Sequence, residues 1–300
     1  MKEKFIEKNF SKSSFLMIER VNQILEEYRK MGYRLSLRQL YYQLVARDII
    51  ENSIRSYKNV GNLVSNARKA GLVDWGMIED RNRDYAIPSH WNSPADILDS
   101  AAYSFRIDKW EDQQYHIEIM VEKDALSGVL GPVCQGLDIG ITANKGYCSS
   151  SIMYEAGKRV ADFKDDGKEI VLFYLGDHDP SGIDMTRDVK ERIELYSRIY
   201  TGRLTIERLA LNWDQIELWN PPPNPAKEND SRFAAYVLEF GETSWELDAI
   251  EPGELGKLVE EAVLNYRDSD LWNEAFEREE TMREELTKMA NDYRKEKGEV

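Results

Sequence analysis

Two aspartates one residue apart, Asp177 and Asp179, close the apolar run "IVLFYLGD", and a glutamate, Glu122, sits at the end of another, "HIEIMVEK". In extended backbone, residues i and i+2 point to the same side, so Asp177 and Asp179 face one way and His178 the other. Three carboxylates brought together repel one another and resist burial unless a cation joins them. One or two Mg²⁺ ions would turn them into an oxygen-rich site that also draws phosphate. The plainer alternative is a solvated turn, with Asp179 capping a helix that begins near Gly182. Glu122 at a second strand end, followed by Lys123 and Asp124, favours a site, because ligands gather at the carboxyl edge of parallel α/β sheets.

A different chemistry is available in "RQLYY", where Arg38 and Tyr42 are four residues apart and share one face of a helix. A phenol with an ordinary pKa near 10 attacks a phosphodiester only if a base or cation favours its phenolate. Arg38 could supply that charge. The competing reading is that both tyrosines are core aromatics, which suits Tyr41 better, since it shares the face of Leu37, Leu44 and Val45. Further candidates are Lys145 and Gly146, at a strand end that could contact a phosphate or be a plain strand-to-helix turn, Lys227 and Arg232, which could touch DNA but read better as a plain surface loop, and the acid pair Glu246 and Asp248, which could supplement the metal site but reads better as a strand-end turn. His90, His116 and His178 have no metal-ligand spacing. Cys134 and Cys148 form neither a CxxC pair nor a disulfide framework and are expected in the core.

These groups need two kinds of scaffold. In the first third, "SFLMIERVNQILEEYRKMG" carries apolar residues at helical spacing, with Ser13 and Ser14 as expected caps. "SLRQLYYQLVARDII" begins with Ser36 as N-cap, and "SIRSYKNVGNLVSNARKAG" makes a third helix. Three short helices of this kind are the size of a helix-turn-helix or winged-helix unit. Residues 76 to 115 read as a connection. From residue 116 four strand-like runs alternate with helical segments, which predicts a mainly parallel sheet with helices on both faces. "NPPPNPAKENDSR" is a turn-rich insertion that excludes helix and central strand, and a charged helix is expected from about residue 270.

The net charge of −15 argues against a general nucleic-acid coat, but it is unevenly distributed. Residues 1 to 110 hold 18 Lys and Arg against 14 Asp and Glu, and the rest of the chain 22 against 41. A mildly basic first part can meet DNA directly, whereas the acidic second part needs cations between it and phosphate. With 42% apolar and 32% charged residues the chain is globular, and its 300 residues allow two domains, drawn at 1–110 and 111–300. The sequence shows neither a membrane-length apolar run nor a secretory signal, so a cytoplasmic location is expected. No glycine-rich phosphate loop is present, which weighs against a nucleotide-hydrolysing motor.

"MVEKDAL", "ANKGYCS" and "LGDHDPSGIDM" follow the order and spacing of a Toprim domain, and with "RQLYY" the chain resembles the DNA-cleaving subunit of topoisomerase VI and the related meiotic double-strand-break transesterase over residues 15 to 250. The resemblance implies an α/β fold in which an N-terminal helical winged-helix domain precedes a Rossmann-like Toprim domain. It implies Mg²⁺ held by Glu122, Asp177 and Asp179, with Tyr42 as nucleophile and Arg38 and Lys123 assisting. Gln39 stands where that family has an acidic residue. The implied activity is cleavage of double-stranded DNA through a 5′-phosphotyrosyl link, by a homodimer whose tyrosine and metal come from different subunits. Strand passage would require a separate ATPase subunit. The alternatives are a Toprim nuclease that uses water and a non-catalytic DNA-binding or assembly protein.

Overall fold

The computed structural model describes residues 2–79, 88–143, 148–200, 202–226 and 228–297. Helices α1 (Lys12–Lys30), α2 (Leu37–Ala46) and α3 (Ile54–Lys69) open the chain. Ser11, and neither Ser13 nor Ser14, caps α1 by accepting from the Ser14 amide. Ser36 and Gln39 form a capping box on α2, in which the Gln39 carbonyl oxygen accepts from the Ser36 amide at 2.8 Å. A glutamine does this as well as an acidic residue, which gives Gln39 a structural reason. Val21, Ile24, Leu25, Leu40, Leu44 and Val64 fill the core among the three helices. Strand β1 (Leu35–Ser36) pairs in parallel with β2 (Ile78–Glu79).

After α4 (Pro94–Ser104) comes the sheet: β3 (Tyr115–Val121), α5 (Ser127–Gly136), β4 (Gly140–Ala143), α6 (Ser150–Asp165), β5 (Glu169–Leu175), α7 (Pro180–Ser197) and β6 (Leu204–Ala210). All four strands are parallel, in the order β4-β3-β5-β6. The period-2 alternation of side chains separates two cores. Ile117, Ile119, Val121, Phe173 and Leu175 face α5, while Met120, Ile170, Leu172 and Tyr174 face α6 and α7.

The chain then makes α8 (Trp213–Trp219), β7 (Asn224–Pro225), α9 (Phe233–Phe240) and β8 (Thr243–Ser244), β7 and β8 pairing antiparallel. Prolines 221 to 223 and 225 keep this segment out of the main sheet, as proline's missing donor requires. A 3₁₀ turn at Leu247–Ala249 leads to α10 (Pro252–Leu264), which covers α5, and α11 (Ser269–Lys297), which packs along α4. No described helix is long and apolar enough to cross a membrane.

Candidate active site

From β3 the chain runs by way of α5 to one side, and β5 returns on the other, so β3 and β5 flank the point where strand order reverses. Ligand crevices in open α/β sheets form there, beyond the carboxyl ends. Val121 lies opposite Leu175, so Glu122 and the 176–179 segment emerge side by side. The Asp177 amide donates to Glu122 Oε2 at 2.8 Å, and Asp177 Oδ1 accepts from the Leu247 amide at 2.8 Å. Asp179 caps α7, its Oδ1 accepting from the Gly182 amide at 2.7 Å and the Ser181 hydroxyl at 2.8 Å. The sequence-predicted triad is thus gathered around one glycine. A Cβ on Gly182 would stand 2.1 Å from the Asp177 carbonyl oxygen and 3.2 Å from Glu122 Oε2.

Lys123 points into the same place. Its Nζ is 2.8 Å from Asp177 Oδ2, 3.0 Å from Glu246 Oε2 and 3.0 Å from Asp248 Oδ2. Glu246 and Asp248, read from sequence as a plain turn, are therefore members of the cluster. They arrive through a small bridge: the His178 and Trp245 amides each donate to the other's carbonyl at 2.9 Å. The His178 ring points away from the carboxylates, as the i, i+2 rule requires, into Trp213, Tyr236, Phe240 and Trp245. Its Nδ1 lies 2.7 Å from the Tyr236 hydroxyl. Arg208 of β6 is the other residue that sequence patterning passed over. It donates to the carbonyls of Gly176 (3.0 Å), Asp177 (2.6 Å) and Gly182 (3.0 Å), so one half-buried guanidinium holds the whole turn. An arginine inside the apolar run "LTIERLAL" was the available signal.

Arg38 connects this cluster to α2. Its guanidinium grips both carboxylate oxygens of Glu246, with Nε at 2.8 Å from Oε2, and its Nε lies 3.5 Å from Asp248 Oδ2. The same guanidinium is 5.8 Å from the centre of the Tyr42 ring, confirming the shared face of positions 38 and 42. Tyr42 is only 2% exposed, and its hydroxyl oxygen accepts from Asn224 Nδ2 at 3.1 Å. Tyr41 is a core residue whose hydroxyl donates to Asn52. The link between α2 and the carboxylates is made within one chain.

Electrostatics follow from burial. Desolvation, reinforced by the charges of Asp177 and Asp179, pushes Glu122 up to about 7. Burial also raises Asp177 against the opposing pull of Lys123. Glu246 goes the other way: burial would raise it, but Lys123 and Arg38 together bring it down to about 2. Burial pushes the Tyr42 phenol up to about 12, although Asn224 and Arg38 favour its phenolate.

The donor chemistry fits a hard divalent cation, since among the described residues the electron-pair donors converging beside Lys123 and Arg38 are carboxylate oxygens, and Asp248, 2% exposed, has no hydrogen-bonded donor on either oxygen. Its 3.0 Å approach to Lys123 is an ion pair without hydrogen-bond alignment. Among the described residues, no group of three or more His, Cys, Asp or Glu is set to hold a metal as it stands. The reason is visible in the contacts: backbone amides engage Glu122, Asp177 and Asp179, and an ammonium stands between the others.

Lys145, Gly146 and Lys227 lie outside the described residues. Arg232 pairs with Asp184 and Asp230 at 2.7 Å each. Cys134 and Cys148 are buried and unbridged. Comparison with family models, curated proteins and solved structures finds no match for this chain.

Proposed function

We propose that this protein is a Mg²⁺-dependent DNA-cleaving transesterase resembling the DNA-cleaving subunit of topoisomerase VI, with α1–α3 serving as its winged-helix unit and the parallel sheet as its Toprim domain. One observation carries the reading: Arg38, on the helix of Tyr42, is clamped to a carboxylate cluster at the sheet's switch point. The helix that bears Tyr42 is thereby tied, within one chain, to the carboxylate turn, whereas the resemblance implies that each tyrosine acts with the metal of the other subunit.

In this reading Glu122, Asp177 and Asp179 would hold Mg²⁺, which would supply positive charge to a phosphate that the acidic cluster alone would repel. Tyr42 Oη forms a bond to phosphorus as the bond from phosphorus to the 3′ oxygen breaks. The phenolic proton passes to water, and the 3′ oxygen takes up a proton. Asn224 donates to the phenolic oxygen and so favours its anionic form, and Arg38 places a fixed positive charge beside the ring. Double-stranded DNA is the substrate, a homodimer supplies one tyrosine per strand, and a separate ATPase subunit would be needed for strand passage. A cytoplasmic location suits this activity.

A second reading, a Toprim nuclease using water with Tyr42 structural, draws on the burial of that tyrosine. Supercoiled DNA incubated with the protein and Mg²⁺, then stopped with detergent, separates the two. The first reading expects protein covalently attached to 5′ ends, absent in Tyr42→Phe. Undiminished cutting by Tyr42→Phe with free 5′-phosphates would overturn it in favour of the second.

A further inference from the structure

Five carboxylates meet at the switch point, namely Glu122, Asp177, Asp179, Glu246 and Asp248; Lys123 and Arg38 pair with members of the group directly, while Arg208 donates to the backbone carbonyls of Gly176, Asp177 and Gly182 beside it. The resemblance accounts for the first three acids and leaves Glu246 and Asp248 without a role. Their geometry suggests one. Three of these carboxylates, from the end of β5 and from the turn after β8, surround a single Nζ at 2.8 to 3.0 Å. An ammonium in an all-oxygen cradle stands where a metal cation could stand, since hard divalent cations also collect carboxylate oxygens.

Asp248 supplies an independent observation. Its side chain is fully buried, yet neither oxygen receives a hydrogen bond, although buried carboxylates ordinarily collect several. Oδ2 faces Lys123 Nζ at 3.0 Å and Arg38 Nε at 3.5 Å without a hydrogen bond to either, and Oδ1 has no donor at all. The Lys123 side chain is 22% exposed, so it borders solvent and is not sealed inside the core. Glu246 is also held by Arg38, which orients its carboxylate toward the cradle.

We propose that Asp177, Glu246 and Asp248 form a divalent-cation position of their own, for which the Lys123 ammonium is the built-in stand-in, so that loading the metal expels Lys123. Asp177 would then be shared between this position and the Glu122–Asp179 position, as paired-metal sites commonly share a carboxylate. This rests on the Toprim reading only for the neighbouring position; the three ligands are drawn from the contacts. The released Lys123 becomes a mobile cation beside the site, available to a phosphate.

The test uses the full chain without DNA, with Mn²⁺ as probe, binding followed by calorimetry and by the electron paramagnetic resonance of free Mn²⁺, and thermal unfolding recorded in parallel. Lys123→Met should bind Mn²⁺ at least tenfold more tightly than the parent, and its unfolding midpoint should rise more steeply with Mn²⁺. Asp248→Asn should lose at least tenfold in affinity at one of two positions, and Asp179→Asn should weaken the other. If Lys123→Met binds no more tightly, the stand-in is overturned. Unchanged binding by a folded Asp248→Asn would overturn the ligand assignment, and should that variant not fold, Glu246→Gln takes its place with the same criterion. Failure here leaves the DNA-cleavage reading intact, because that reading is decided by the Tyr42 adduct. Absence of the adduct leaves the Mn²⁺ result equally untouched.

Discussion

Arg38 and Glu246 are 208 residues apart in sequence and joined by a two-pronged ion pair, the Arg38 Nε lying 2.8 Å from Glu246 Oε2. The pair fastens the tyrosine-bearing helix α2 to the turn that completes the carboxylate cluster. Replacing Arg38 by Ala should cost only about 1 kcal/mol of stability, because its side chain is 42% exposed and solvent already screens the pair. Adduct formation should fall far more, by at least tenfold. Arg38→Lys should not restore it, since a point ammonium cannot reproduce the planar fork. Chemical denaturation and the detergent-stopped cleavage assay read the two effects separately.

Asp179 has two roles that substitution can split. As the cap of α7 it accepts from Gly182 and Ser181, a task asparagine also performs. Asp179→Asn should therefore unfold within a few tenths of a kcal/mol of the parent, whereas Asp179→Ala should lose about 1 kcal/mol. Both should lose Mg²⁺-dependent cleavage by at least tenfold. Cleavage retained in the asparagine variant would mean that Asp179 is a cap and nothing more.

Gly182 permits the approach on which the cluster depends. An added methyl would meet the Asp177 carbonyl at 2.1 Å, a backbone atom that cannot swing aside. Gly182→Ala should cost about 3 kcal/mol or more through overpacking. Gly176→Ala meets mainly side-chain atoms, the nearest at 2.8 Å, and should be milder. Melting curves of the two variants give the order directly.

Burial sets the titration of Tyr42 at about 12 where an exposed tyrosine ionises near 10. With the folded pKa above the unfolded one, the native state keeps its proton when the unfolded chain has begun to lose it. The associated stability is complete below pH 10 and disappears as pH rises through 12. Tyr42→Phe should therefore lose less stability than the parent between pH 10 and 12, by up to about 3 kcal/mol, in denaturation measured at each pH. An ordinary titration near 10, read from phenolate absorbance as the difference between parent and variant, would contradict the buried environment.

The parallel sheet and the acids at its edge were legible in the sequence for a local reason. Apolar runs such as "IVLFYL" end on charged residues, and alternation within a strand assigns Asp177 and Asp179 to one side and His178 to the other. Helical spacing likewise put Arg38 and Tyr42 on one face of α2. Ser11 took the α1 cap that Ser13 or Ser14 was expected to hold, a choice among adjacent serines that composition cannot make.

Glu246, Asp248 and Arg208 were not legible as site residues, because what places them is not local. Whether "WELDAI" is a surface turn or the wall of a site depends on the His178–Trp245 bridge, which joins segments distant in sequence. The burial of Asp248, the approach of Lys123 to three carboxylates, and the grip of Arg38 on Glu246 all depend on packing between elements. The sequence by itself determined which residues could do chemistry and which side of a strand or helix they occupy, since period and charge are properties of the chain. Only the tertiary structure decided which of them meet, because strand order, desolvation and ion pairing are properties of contacts between distant segments.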